Sequence, residues 1–140
     1  MRVDWAIPCR YVEVQQGAGA VLVGAGADMA AIPSLPTAIQ LLFAVRYVGA
    51  PDELDGETEH PIAARIFDPD GAQIAEQKGL LKAHATLAIP GYLAELIVPT
   101  SIVFEPREYG TYGFEFSIDE HEVRVPMHII SPDLLADSPD

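Results

Sequence analysis

The stretch YGTYGFEFSIDEHEVRVPMHII, Tyr109 to Ile130, decides the fold class. Tyr112, Phe114, Phe116 and Ile118 alternate with Gly113, Glu115, Ser117 and Asp119. That is the period of two by which a strand sends successive side chains to opposite faces. Val123, Val125, Met127 and Ile129 repeat the alternation, so the two runs predict a hairpin joined near Glu120-His121.

Working outward, the same chemistry recurs at the close spacing that favours a sandwich over βαβ units. In PIAARIFDPDGAQIAEQKG two short runs flank Asp68-Pro69-Asp70-Gly71, where proline pre-sets the second turn position and glycine fits after it, predicting a type I turn closing a hairpin. A calcium loop also begins with spaced aspartates and a glycine, but this one offers two carboxylates locally and no closing glutamate. Tyr92 to Phe104 and Leu80 to Ile89 are two further runs, the first broken at Pro99. Ile39 to Val48 is apolar enough for the core, its first turn also open to a helical reading. Val3 to Val14 reads as one strand whose Pro8 marks an edge or a bulge, and Val21 to Ala25 comes next. The expected fold is all-β: a single antiparallel β-sandwich, immunoglobulin-like or related, of about seven to eight strands. Residues 1–131 make the domain, and 132–140 an acidic, mobile tail.

Composition narrows the partners. The 140 residues suit one domain, and 49% hydrophobic against 21% charged is the balance of a packed globule. A formal charge of −13 repels phosphate backbones, so neither nucleic acid nor an anionic membrane is an expected partner. Much of the excess falls in a solvated loop from Ala50 to His60, with Asp52, Glu53, Asp55, Glu57 and Glu59, and in the tail, with Asp133, Asp137 and Asp140. The lone Cys9 permits no intrachain disulfide, and Met1 to Arg10 lacks the basic start and apolar run of a secretory signal. A soluble protein in the cytoplasm is the expectation.

VLVGAGADMA, Val21 to Ala30, resembles the strand and glycine turn of a dinucleotide site. Gly24 and Gly26 match its first two small positions, but Met29 occupies the third, and Pro33 and Pro36 interrupt the helix that would carry the pyrophosphate. The glycines read instead as a turn at a strand end, and no cofactor is expected. His60 in ETEH and His121 in DEHE have acids beside them, which suggests a metal-assisted hydrolase or lyase. Neighbours in extended chain point to opposite faces, however, so both are expected to be surface residues of acidic turns. His84 and His128 fall within strands. Ser101 and Ser117 lack a GxSxG elbow, and Cys9 lacks a local activator. Trp5, Tyr11, Phe43, Tyr47 and Phe104 would suit a sugar-binding platform, but core packing accounts for such aromatics first.

VDWAIPCRYVEV with the subsequent VLVGAG, and VPTSIVFEPREYGTYGFEFSID near the C-terminus, resemble a family of short bacterial proteins known only as a domain of unknown function. The likeness rests on Ala6 and Cys9, on the turn at Glu105-Pro106 and on the aromatic strand from Tyr112. It implies a compact β-sandwich and no catalytic residue. Asp119-Glu120-His121-Glu122 stands where that pattern favours a glycine turn, which leaves the register of the last hairpin open. The expected function is therefore a non-catalytic binding or assembly module. It has no catalytic, cofactor-binding or metal residues, and it forms a homo-oligomer through an apolar or strand-edged interface. A metal-assisted hydrolase or lyase and a small-ligand or carbohydrate binder are the alternatives.

Overall fold

The computed structural model describes residues 1–15, 19–85 and 89–136. Among them are ten strands: β1 (Arg2–Cys9), β2 (Tyr11–Gln15), β3 (Gly19–Val23), β4 (Met29–Ala31), β5 (Ile39–Gly49), β6 (His60–Phe67), β7 (Gln73–Leu81), β8 (Ala94–Phe104), β9 (Gly110–Ile118) and β10 (His121–Ile130). A five-stranded sheet, ordered β4-β10-β9-β6-β7, packs on a three-stranded sheet, β1-β5-β8, and β2-β3 forms a separate ribbon. The fold is the expected β-sandwich. The strand count exceeds seven or eight because a break at Arg10 divides the first run into β1 and β2, and because β4 forms where only a turn was expected. β4 also departs from the antiparallel expectation by pairing parallel to β10, with Met29 opposite His128 and Ala31 opposite Ile130. It enters that sheet from the ribbon, not from a neighbouring strand, so no tight hairpin dictates its direction.

The alternation in β9 and β10 appears in the structure as burial. Tyr112, Phe114, Phe116, Ile118, Met127 and Ile129 face Phe43, Val45 and Tyr47 of β5 and Phe104 of β8. Phe43 meets Phe114 and Phe116 across the layers, with ring centroids at 5.2 and 4.9 Å, and Phe104 meets Phe114 edge-on at 5.3 Å. Each such ring removed from water stabilises the fold by roughly 1.5–3 kcal/mol. The Tyr112 hydroxyl donates to the Glu108 carbonyl at 2.9 Å, tying the start of β9 to the preceding loop in the manner of a tyrosine corner. β5 is extended from Ile39 onward, with no helical first turn.

Pro8 and Pro99 do not break the strands that contain them. Pro8 lies in β1 and Pro99 in β8, the two edges of the smaller sheet, where a missing N–H need break no ladder bond. Pro126 in β10 lies two residues before His128, the first of the three residues paired with β4. The last hairpin closes with Ile118 opposite His121, so its two turn residues are Asp119 and Glu120, with Asp119 at φ 53°.

Leu80 to Ile89 does not form a strand of its own among the described residues, because Leu80 and Leu81 are the end of β7. β7 stops at Leu81, and the chain turns so that Ala85 packs with Leu54 and Ala94 in a small second cluster. Among the described residues of this run Ala85 is buried beside Leu54 of the acidic loop, while Leu80 and Ile89 stay exposed. Residues 86–88 of that run lie outside the described residues. The start of the expected tail forms one helical turn, α1 (Asp133–Ala136); Asp137 and Asp140 lie outside the described residues.

Candidate functional site

Val21 to Val23 end β3, and Gly24 and Gly26 take φ of 68° and 81° in the turn after it. The Gly26 amide donates to the Pro8 carbonyl at 2.8 Å. A Cβ on Gly24 would come within 2.9 Å of the Arg10 side chain. Strand β4 then begins at Met29, where a dinucleotide site requires a helix N-terminus. The segment is a strand, a turn and a strand.

The acidic loop is more constructed than a solvated segment. Pro51 to Leu54 form a short 3-10 turn in which the Glu53 carboxylate accepts from the Ala50 amide at 2.7 Å, while Leu54 is buried. Asp55 accepts from the Thr58 and Glu57 amides and from the Thr58 hydroxyl, which hold its carboxyl down at about 2. Asp52, Asp55, Glu57 and Glu59 are exposed as expected, and Glu53 is half-buried.

His60 is not a surface residue. It is 5% exposed, with Nδ1 3.2 Å from the Asp119 carboxylate and Nε2 2.7 Å from the Glu53 carbonyl. The Met1 amine joins the same group, 2.8 Å from Glu53 and 3.1 Å from Asp119. Sequence adjacency points to Glu57 and Glu59 as partners of His60, but the fold delivers a carboxylate from the distant β9–β10 turn. His121 stands exposed at the start of β10, and His84 sits in a loop, bridged to Asp55, not in a strand. His128 lies on β10 as expected, its Nδ1 2.9 Å from the Thr111 hydroxyl. The metal-assisted reading that joins His60 to His121 thus finds His60 occupied by structural partners.

At the other end of the sandwich, Glu108 comes beside Asp68 and Asp70 and supplies a third carboxylate that the local sequence lacks. The Asp68 carboxylate is engaged by the Asp70 and Ala72 amides at 3.0 and 2.9 Å, so it shapes the predicted turn, which the Gly71 amide closes onto the Asp68 carbonyl.

An open cavity of about 540 Å³ is lined by Cys9, Arg10, Gln40, Ser101 and Met127 among others. No histidine or carboxylate among the described residues lines it, so none of them serves Cys9 or Ser101 as an activating base. Burial pushes the Cys9 thiol up, away from its reactive form. Ser101 Oγ accepts from Gln40 at 2.6 Å, and Ser117 is half-buried on β9. Of the aromatics weighed for a sugar platform, Phe43, Tyr47 and Phe104 are core residues, Trp5 is half-buried and Tyr11 is exposed on the ribbon.

The outer face of the larger sheet carries an ordered feature that the sequence pattern did not reveal. Arg124 of β10 lies opposite Glu115 of β9, Glu115 opposite Arg65 of β6, and Arg65 opposite Glu76 of β7. The ion pairs are 3.2, 3.1 and 3.0 Å long, and Lys78 adds a fourth to Glu76 at 3.1 Å. Charge therefore alternates strand by strand to the sheet edge. Glu76, and then Glu115, raise the Arg65 guanidinium, while Lys78 and Arg65 hold the Glu76 carboxyl below its ordinary value. The row packs closely at its inner end, where a Cβ on Gly113 would lie 3.1 Å from Arg124, whose guanidinium stands 3.8 Å over the Phe67 ring.

The four sheet edges differ in what protects them. β1 carries Pro8 and is capped there by Gly26; β8 carries Pro99 and has β2 against it; β4 is three residues long. β7 has nine residues, no proline and eight exposed positions, including Ile74 at 50% and Leu80 at 62%. Short strands, prolines and covering segments are how sheets refuse further strands, and among the described residues β7 has none of these, its protections being the register shift beside Ile74 and the exposed Lys78. No helix among the described residues is long and apolar enough to cross a membrane. No protein-family model matches the chain, and no curated protein matches it.

Proposed function

We propose that this protein is a non-catalytic assembly module that associates with a second copy of itself through a sheet edge. The observation that carries the reading is β7, a long strand with an unpaired side on a sandwich whose other edges are short, proline-bearing or covered. Unpaired N–H and C=O groups in a row are a template for another strand, and identical chains most often close such contacts into two-fold dimers. The chemistry available elsewhere supports binding over catalysis. His60 is held by structural partners, and no base lines the Cys9 cavity among the described residues.

Light scattering across a dilution series tests the reading. A mass that rises toward twice 15.1 kDa with concentration is the expected result, and a monomer at every concentration overturns it. Raising the salt should not dissociate the dimer, because backbone hydrogen bonds are little screened and the −13 charge of each copy repels less as salt rises.

A further inference from the structure

We infer that β7 pairs antiparallel with β7 of a second copy, in the register that sets Gln77 against the second copy's Gln77, so that two five-stranded sheets become one continuous sheet. The inference rests on the self-association proposed above and names its surface, partner and register.

Backbone direction comes first. The Asp119 amide donates to the Pro61 carbonyl at 2.9 Å, so that carbonyl points toward the β9 side and away from β7. Leu80 is the β7 residue opposite Pro61, and in an antiparallel pair such a residue directs its own N–H and C=O away from the partner strand. Alternation then points Leu80, Lys78 and Glu76 outward, while Leu81, Gly79, Gln77 and Ala75 bond to β6. A second β7 can form hydrogen-bonded pairs only with the outward set. The Gln77 register meets that condition, placing Glu76 opposite the second copy's Lys78 and leaving the Gln77 pair between hydrogen-bonded pairs.

Side chains select the same register. It puts Ile74 opposite the second copy's Leu80, joining two side chains that are exposed in the single chain. It also extends the alternating row of Arg124, Glu115, Arg65 and Glu76 with the second copy's Lys78, the sign that the pattern requires next. Two-fold symmetry makes the contact twice, so Glu76 and Lys78 of both copies form a square of alternating charge. An edge lysine is also a common device for refusing partners, since it would face another cation or an apolar strand. Here Lys78, 74% exposed, would face Glu76.

Charge reversal at these two positions tests the register. Lys78→Glu sets glutamate against glutamate, and Glu76→Lys sets lysine against lysine, so each variant alone should dimerise about tenfold or more weakly than the parent. Mixed together they restore both opposite-charge contacts and should form a heterodimer of near-parental affinity. Net charge alone predicts otherwise: Glu76→Lys lowers the repulsion between copies and would strengthen association. Far-ultraviolet circular dichroism verifies that both variants fold. Gln77→Cys should also form a disulfide dimer on mild oxidation, since the paired Cα atoms would lie about 4.5 Å apart, within disulfide range. Val103→Cys, exposed on the other sheet, should not. If the parent dimerises while the mixture fails to recover or Gln77→Cys stays monomeric, the register is wrong and self-association stands. A parent that is monomeric throughout removes both.

Discussion

β9 and β7 lie two places apart in one sheet, with only β6 between them, yet their environments are opposite. In β9, Tyr112, Phe114, Phe116 and Ile118 are 2% exposed or less; in β7, eight of nine residues are exposed. The difference comes from the unequal widths of the layers. Three strands cannot cover five, so the smaller sheet seals the middle of the larger one and leaves its β7 side bare. The sequence of β7 conforms to this, with Ala75, Gln77 and Gly79 on the face that in β9 carries rings. A strand of the same sheet can thus serve either as core or as surface, depending on what lies across from it.

The sharpest test of that contrast is Phe114→Ala, which should cost about 3–5 kcal/mol, read as a fall in the urea midpoint, because it empties the meeting point of Phe43 and Phe104. Ile74→Ala on β7 should change folding by less than about 0.5 kcal/mol in the same titration. Comparable losses at the two positions would mean that β7 is covered in the single chain.

Glu115→Ala should have an intermediate effect. Although Glu115 is 7% exposed, its partners Arg65 and Arg124 reach water, so the loss is expected near about 1 kcal/mol by denaturant unfolding. It should also weaken dimerisation by loosening Arg65, which orients Glu76 at the edge. An undiminished dimer in this variant would separate the charge row from the interface.

A smaller effect, dependent on pH, belongs to the acidic loop that leads into β6. The carboxyl of Asp55 is depressed from 3.8 to about 2 in the folded chain, chiefly by the amides of Thr58 and Glu57. A depressed acid stabilises the fold above its unfolded pKa and loses that contribution as pH falls through the folded value. Asp55→Ala should therefore be less stable than the parent at pH 5, with the gap closing as pH falls to about 2 and below, as followed by urea midpoints. A difference that persists unchanged at pH 2 would show that the carboxylate charge is not what holds the loop.

The features legible in the sequence have local causes. Period-two alternation from Tyr112 to Ile129 shows which face is buried, because a strand offers only two faces. Asp68-Pro69-Asp70-Gly71 specifies its own turn through backbone preferences and the Asp68 carboxylate. Met29, Pro33 and Pro36 exclude a phosphate-binding helix by sterics alone. The features that sequence misplaces have remote partners. Adjacency assigns His60 to the acids beside it, but Asp119 and the Glu53 carbonyl hold it. Composition assigns Leu80 to Ile89 to a strand, although Ala85 packs instead against Leu54 and Ala94.

The sequence by itself thus determined the all-β class, the buried faces of the long strands, the tight turns and the absence of a nucleotide fingerprint. Each arises from sterics or periodicity within a few residues. Only the tertiary structure decided that Arg124, Glu115, Arg65 and Glu76 form one row, that Glu108 joins Asp68 and Asp70, and that β7 is the open edge. These depend on strand order and register, which arise when separate segments compete to bury their apolar faces against one another. No single segment contains that information, since a shift of one residue would send every side chain of a strand to its other face.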